Sequence, residues 1–560
     1  MIKRILDNNF WNAQPSKSII SAAFVITMSG LASRLLGLLR DRMLASRFGA
    51  GDTMDVYYAA FRVPDLIYNF IVLGALSAAF IPVFSSLISK KKEGDEKNLE
   101  ENMRDNKEAQ KLVNGMLNIS IFFIIVLSII FAIFAPILTK FITPGFSPEK
   151  NDMVVMFTRI MFLSPLFLGI SGIFGGVLTS FRRFVIYSLA PILYNLGIIF
   201  GIFFFVDFWG PIGLAWGVVL GAVLHMLIQY PAVKNLGFRY QNIFRESFKN
   251  VNIKKVCTLM IPRMMGISIS QINLFVITIF ASTLAGGSLA IFNFAQNLQS
   301  VALGIFGVSF AIAVFPVLSS LAAQEEREKF ISTFSSTFRQ IIFFVVPTSI
   351  FMFVLRAQIV RVVLGSGKFD WEDTILTFEC LGIFVFSLFA QSTIPLLARS
   401  FYALQDTKNP FYIALAAEAV NIALVILLIN KFQVVGLAIA FSVASVLQMA
   451  LLFIFLRKKI KNLDEKNIIV SFGKVLLASA LAGGAIQLVK TKVAQAMDID
   501  TFIGIFTQLS ASVVVGILVF SLASYALKLE EFFNFKHSLT KKIFKAKKVI
   551  VEGTSDVSGV

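Results

Sequence analysis

Cysteine and histidine are nearly absent from this 560-residue chain, which has two of each: Cys257, Cys380, His225 and His537. They form no CxxC pair, no disulfide framework and no cluster with metal-ligand spacing, so no metal site is expected. Charge is also scarce, at 15% of residues against about 25% in a soluble globular protein. That deficit excludes a water-soluble enzyme with a single core. No P-loop and no clustered catalytic residues occur, which argues against a membrane enzyme. In place of charge the chain is 57% hydrophobic, with apolar runs of roughly 20 residues recurring from Ser18 to Leu527 between short polar gaps. The pattern reads as an all-α polytopic membrane protein.

The charge that is present is lopsided, with 51 Lys and Arg against 33 Asp and Glu. Dividing the apolar runs into fourteen helices puts 34 basic residues on the side that holds the N-terminus and only 9 in the gaps on the other side. Basic residues collect on the cytoplasmic side, so both termini are expected there. The net charge of +18 then goes to topology and to contact with anionic membrane lipids, and nucleic acid is not expected as a partner. The first residues, MIKRILDNNFWNAQPSKS, do not read as a signal peptide. The apolar run starts late and leads into Arg34, Arg40 and Arg42 without a small-residue cleavage pattern. Residues 2–11 read as a short interfacial helix with Trp11 at headgroup level, and KKIFKAKKVIV near the C-terminus as a basic amphipathic segment on the inner leaflet.

Short matches recur at offsets of 220 to 236 residues. LASRFGAGD (44–52) lies against FASTLAGGS (280–288), FIPVFSSL (80–87) against VFPVLSSL (314–321), and IGLAWG (212–217) against VGLAIA (435–440). Asn195 pairs with Asn421, and Ser180-Phe181 with Ser400-Phe401. Five matches in one order imply two six-helix lobes in parallel repeat, with two extra C-terminal helices. The expected organisation is a cytoplasmic segment at 1–17, an N-lobe at 18–233, a cytoplasmic linker at 234–255, a C-lobe at 256–456, helices 13 and 14 at 457–527, and a basic tail at 528–560. Gly213, Gly217 and Gly221, four residues apart, predict a close helix contact.

Several spans carry charge where lipid should be, at a cost of at least ~2.5–3.5 kcal/mol per group unless a partner or water is at hand. Helix 1 (18–46) holds Arg34 near its middle and Arg40, Asp41 and Arg42 about 10 Å further along. Helix 2 (54–87) holds Asp55 and Arg62, again seven residues apart, then Asp65. Two neighbouring helices with partly neutralised cations on facing stripes describe a hydrated chamber for an anion, with Asp41 and Asp55 orienting the guanidinium groups. Arg263, after Pro262 in helix 7, is a further candidate for that chamber. Structural ion pairs and snorkelling side chains are the alternative for each. In helix 11, Glu418 and Asn421 lie one turn apart and offer oxygens to a coupling cation; a buried, protonated Glu418 is the alternative there.

SRLLGLLRDRMLASRFGAGDTMDVYYAAFRVPDL (33–66), GALSAAFIPVFS (74–85), IPRMMGISISQINLFVITIFASTLAGGS (261–288), GVSFAIAVFPVLSSLAA (307–323) and ARSFYALQDTKNPFYIAL (398–415) resemble the MurJ/MviN lipid II flippase family. The resemblance implies the multidrug/oligosaccharidyl-lipid/polysaccharide exporter fold, an anionic-headgroup cavity between lobes, and a groove at helices 13 and 14 for a polyprenyl tail. It implies alternating access driven by membrane potential or by a coupling ion, Na⁺ or H⁺, with no other cofactor and no ATP hydrolysis. The implied substrate is lipid II or a related polyprenyl-diphosphate lipid, moved from inner to outer leaflet by a monomer in the cytoplasmic membrane of a bacterium. Arg34, Arg40 and Asp41 match positions of the family's cationic cavity, and Asp55 matches its helix 2 aspartate. Tyr68, Asn69 and Leu73 stand where the family has a basic pair and then a glutamate, and Gln296-Asn297 where it has aspartate-arginine. Those departures keep two rivals in view: an exporter of another polyprenyl-diphosphate-linked oligosaccharide, and a drug or ion antiporter of the same superfamily. A non-transporting scaffold that binds cell-wall precursors fits the same charges.

Overall fold

A computed structural model describes residues 19–73, 79–89, 103 and 106–537, except for the side chains of 19–27, 73, 89, 261–263 and 265–267. The expected interfacial helix at 2–11 and the KKIFKAKKVIV tail lie outside the described residues. Within them the chain is helical and has no strand.

Every expected span coincides with helix. We label them α1 (Ile19–Phe48), α2 (Asp52–Ala60, Arg62–Tyr68 and Ile81–Ser89), α3 (Lys107–Ile142), α4 (Pro148–Met161 and Leu163–Ser180), α5 (Phe184–Phe200, extended through Val206–Trp209), α6 (Gly213–Leu227, then Tyr230–Asn235) and α7 (Val251–Ser282). There follow α8 (Ser288–Ala302 and Ser309–Ala323), α9 (Arg327–Val354), a short helix Arg356–Val363, α10 (Trp371–Ala403), α11 and α12 (together Lys408–Ile460), α13 (Glu465–Ala496) and α14 (Phe502–Ala526). α11 and α12 run on in helical hydrogen bonding, and the chain turns between them at Gln433, whose φ is 50°. Among the described residues, nine stretches are long and apolar enough to cross a membrane, and two of them, Phe184–Asn235 and Lys408–Ile460, each hold two of the expected spans. The helices outside this set are α1, with its arginines, the interrupted α2, and α7, of which only Ser268–Ser282 qualifies as an apolar segment.

Local chemistry explains the interruptions. Proline has no N–H for the carbonyl four residues back. The first segments of α2 and α4 end at Ala60 and Met161, four residues before Pro64 and Pro165. The released Ala60 carbonyl accepts the Thr158 hydroxyl at 3.4 Å. α2 and α8 also each contain a π-helical turn, at Asn69–Leu73 and Leu303–Val308, which begin 234 residues apart. That spacing is the offset of the FIPVFSSL and VFPVLSSL match, so the internal repeat extends to backbone irregularity. The glycine ladder of α6 does what its spacing predicts. A Cβ on Gly201 or Gly197 of α5 would collide with the backbone of Gly217 or Gly221, so these two helices touch main chain to main chain.

The described residues group into two compact units, the first within 1–293 together with 364–373, the second within 294–363 together with 374–560. α7 belongs to the first unit because Ile253 and Val256 join the core of Phe80, Phe84, Leu112, Val113 and Phe174. Residues of the expected cytoplasmic linker are held by α3 as well. On one face of α3, Gln110 and Asn114 donate to the carbonyls of Gly237 (2.7 Å) and Arg239 (2.9 Å), and Asn118 donates to that of Gln241 (3.1 Å). Asn114 also accepts from the Gln241 amide at 2.8 Å, so an amide ladder replaces the strand partner that an extended backbone would otherwise need.

The second unit is built on α9, whose Phe334, Phe338 and Ile341 pack with residues of α10, α12 and α13. Gly483 of α13 sits against Ile350, and Gly516 of α14 against Ile486, so small residues let α13 lie flush on its neighbours. An apolar groove of this unit, about 600 Å³, is walled by α9 and α14 together with α8 and residues of the helix at 530–537. Arg339 of α9 pins that last helix through ion pairs of 2.9 Å to both Glu530 and Glu531.

Candidate functional site

Within the first unit, Arg40 is held by the element next to it and by α5. Its guanidinium donates from Nε (3.0 Å) and Nη2 (2.8 Å) to Oδ1 of Asp41, and from Nη1 to Oδ1 of Asn195 at 3.1 Å. Asn195 is itself anchored, its amide donating to the carbonyls of Pro191 (3.1 Å) and Ser33 (3.3 Å). Two acceptors on different helices fix the plane of the guanidinium, the geometry suited to presenting its remaining N–H groups to an oxyanion. Asp41 thus holds Arg40 from α1 and Asn195 holds it from α5. Asn195 was visible in the sequence only as a repeat match to Asn421. Arg34, also on α1, is half-buried.

Arg62 sits in the first half of α2 at 7% exposure. It donates to Thr278 Oγ1 of α7 at 2.7 Å and to Asn293 Oδ1 at 3.3 Å, both neutral oxygens. Asp65 is within electrostatic range but makes no ion pair with it. Tyr58, on the same helix, is within electrostatic range of Arg40, Asp41 and Arg62.

Asp55 departs from its expected part, since it orients no guanidinium. Its carboxylate, 1% exposed, accepts from Lys150 Nζ at 2.8 Å and from the backbone amides of Gly287 (2.8 Å) and Ala290 (3.0 Å), at the start of α8. A carboxylate at a helix N-terminus meets orphan N–H groups and the positive end of the dipole, and this is the stronger claim on Asp55. Lys150 also bonds Asp52 at 2.6 Å and lies over the Phe146 ring. Nothing in the sequence around Lys150 marks it as the partner of Asp55, 95 residues away. Arg263 lies on α7, and its side chain is outside the described residues. Of the positions that depart from the family pattern, Tyr68 and Asn297 are half-buried, and the Leu73 side chain is outside the described residues.

In the second unit, Glu418 and Asn421 are both buried on α11, and Asn421 Nδ2 donates to Glu418 Oε1 at 3.3 Å. The side-chain oxygen of Asn421 has no hydrogen-bond partner. A carboxylate beside an unsatisfied carbonyl oxygen is a donor set that fits a hard monovalent cation or a proton. Among the described residues no group of His, Cys, Asp and Glu is arranged to hold a metal ion.

Two units of long membrane helices, with cations held inside the first, define a polytopic transporter. Solved structures share the fold. A lipid II flippase MurJ in an inward closed conformation superposes with a TM-score of 0.72 at 23% identity, over 90% of this chain and 99% of that one. An inward-facing multidrug resistance MATE family transporter of the MOP superfamily superposes with a TM-score of 0.61 at 14% identity, over 77% and 96%. The profile of the family Lipid II flippase MurJ matches residues 44–508, and the chain belongs to that family. Among its relatives are proteins named probable lipid II flippase MurJ from Rhizobium tropici and Haemophilus influenzae. The first is 29% identical over 82% of this chain and 85% of its own length, the second 28% identical over 85% and 94%.

Proposed function

We propose that this chain is a lipid II flippase, moving the lipid-linked peptidoglycan precursor from the inner to the outer leaflet of the cytoplasmic membrane by alternating access. It would do so as a monomer with both termini in the cytoplasm. Family membership supports the substrate class, and one observation in the structure carries the reading. Arg62 is buried with neutral hydrogen-bond partners, and Asp65 offsets its charge only from a distance, without an ion pair, so the guanidinium has N–H groups and charge to offer inside a membrane helix bundle. Such a charge is costly until an anion arrives. A diphosphate headgroup supplies that anion, and Arg40, fixed by Asp41 and Asn195, supplies a second guanidinium to it. A drug antiporter would need acidic groups for its cationic substrate, and the cationic interior disfavours that alternative. The driving force is assigned to Na⁺, H⁺ or the membrane potential, with Glu418 and Asn421 as the residues that would hold the coupling cation.

The test is leaflet-resolved flipping of lipid II in vesicles reconstituted with the purified chain. The wild type should flip it. Arg40→Ala and Arg62→Ala should lose flipping while incorporating to the same level. Wild-type vesicles that leave lipid II in its original leaflet, under every imposed gradient, overturn the proposal.

A further inference from the structure

We propose that Thr278 and Asn293 are positioning residues of the anion site, neutral oxygens that orient the Arg62 guanidinium and leave its charge for the substrate. This rests on the flippase reading above and adds to it the two side chains that aim Arg62.

Arg62, Thr278 and Asn293 come from three helices of the first unit, α2, α7 and α8, and all three side chains are buried. The Thr278 hydroxyl has a single proton, and it goes to the Leu274 carbonyl at 2.8 Å, one turn back on α7. Its oxygen is left as an acceptor only, and Arg62 Nε donates to it at 2.7 Å. Asn293 is set in the same way. Its Nδ2 donates to the Leu289 carbonyl at 2.6 Å, one turn back on α8, and this turns Oδ1 toward Arg62 Nη2 at 3.3 Å. Each acceptor is therefore oriented by its own helix. Asp55 adds to the arrangement from two turns away on α2, because its bonds to the Gly287 and Ala290 amides hold the start of α8, and Asn293 lies one turn beyond Ala290.

Bonds from two different nitrogens fix the plane of the guanidinium. They engage Nε and one N–H of Nη2, and a guanidinium carries five N–H donors, so the N–H groups of Nη1 and the second of Nη2 are left for an oxyanion. The chemistry of the two acceptors matters as much as their direction. Arg40 is oriented by the carboxylate of Asp41, which already offsets its charge. Arg62 is oriented by a hydroxyl and an amide, and Asp65 acts on it only from a distance. An ionised acceptor at either place would hold the guanidinium more tightly and compete with a diphosphate for the same charge. A neutral one supplies direction and leaves the charge in place.

The experiment measures binding of a polyprenyl diphosphate to the full-length protein in detergent, by native mass spectrometry, together with thermal unfolding of the same samples. Asn293→Asp keeps the shape and the acceptor and adds a charge, which the neighbouring Arg62 keeps ionised. It should weaken binding by about tenfold or more, with an unfolding midpoint at or above that of the wild type. Thr278→Val keeps the shape and removes the acceptor. It should weaken binding severalfold, and Thr278→Ser should restore it. A bond that serves only to join helices gives the opposite order, because Asn293→Asp strengthens that bond and should then bind as well as the wild type. If Asn293→Asp does not fold, Asn293→Leu takes its place and should weaken binding as Thr278→Val does. Wild-type affinity in the Asn293 variant and in Thr278→Val overturns the positioning role and leaves the flippase reading standing. A wild-type chain that binds no polyprenyl diphosphate overturns the flippase reading itself, and the positioning role with it.

Discussion

Replacing Asp55 with alanine removes the acceptor of three bonds at once, from Lys150 and from the Gly287 and Ala290 amides. The side chain is fully enclosed, so the donors left behind cannot turn to bulk water. Breaking a buried ion pair from one side costs about 3–5 kcal/mol, and losing a helix cap about 1 kcal/mol. Lys150 keeps Asp52 at 2.6 Å and is not left unpaired, and the two terms share one carboxylate, so the lower end, about 3 kcal/mol, is expected for Asp55→Ala. Asp55→Asn keeps an oxygen for the amides and loses the charge. Lys150 then still has Asp52, and the cost should fall to about 1.5–3 kcal/mol. Lys150→Met leaves Asp55 satisfied by two backbone amides and should cost least. The assay is thermal unfolding of the three purified variants in one detergent, with the order of apparent midpoints as the readout. Asp55→Ala as stable as Lys150→Met would show that the α8 N-terminus does not depend on this carboxylate, and the capping argument would fall.

Four further outcomes follow from the geometry. Asn195→Leu removes the α5 acceptor of Arg40 and leaves the Asp41 pair. Flipping of lipid II should drop severalfold with membrane abundance unchanged, and an unaltered rate would reduce Asn195 to packing. Glu418→Gln should weaken potential- or ion-driven flipping while headgroup binding stays near wild type, measured with imposed gradients in vesicles. Single cysteines at Glu96 and Asp498 should differ toward an impermeant reagent in intact cells, with only the Asp498 position reacting; the reverse inverts the topology. Finally, burial alone would raise the carboxyl of Asp406, in the turn between α10 and α11, but Lys459 at 2.7 Å and the Asn409 amides outweigh it and hold it below the usual carboxylate range. Its folded value is depressed, so its contribution is present above the unfolded value near 4 and is lost as pH falls through the folded one. Protection of that turn's amides, taken relative to the intrinsic exchange rate at each pH, should fall on acidification below about pH 4, and Lys459→Met should blunt the change.

The spans were legible because lipid imposes a length and an apolar content that few other structures share, and the helix boundaries mostly follow from them. Arg40 with Asp41 was legible because the partners are adjacent in sequence. Asp55 was misread for the opposite reason. Its partners lie 95, 232 and 235 residues away, and nothing in the seven-residue spacing to Arg62 distinguishes a residue that faces a cation from one that caps another helix. Gln110, Asn114 and Asn118 carried a usable signal: polar side chains four apart at the start of an apolar run. Their acceptors, the carbonyls of Gly237, Arg239 and Gln241, lie more than 120 residues away, so the stripe alone does not name its partner.

The internal repeat separates what the scaffold supplies from what the chemistry requires. Both halves place a π-helical turn at the matched point of their second helix, and both keep an asparagine at the matched position, Asn195 and Asn421. The asparagines have opposite clients. Asn195 offers its oxygen to a guanidinium, and Asn421 offers its nitrogen to a carboxylate. A side-chain amide can do either, because it carries a donor and an acceptor on one planar group. Duplication therefore preserved a bifunctional residue at an equivalent place, and the sign of the neighbouring charge decided its use. On the proposal above the first unit serves an anion and the second a coupling cation, and swapping the clients should then abolish coupling before it abolishes folding. Asn195→Asp should neutralise Arg40 and stop headgroup binding, whereas Asn421→Asp should place two carboxyls side by side and tighten cation dependence. Equal effects of the two substitutions on lipid II binding, measured in the same detergent, would show that the halves are not specialised in this way.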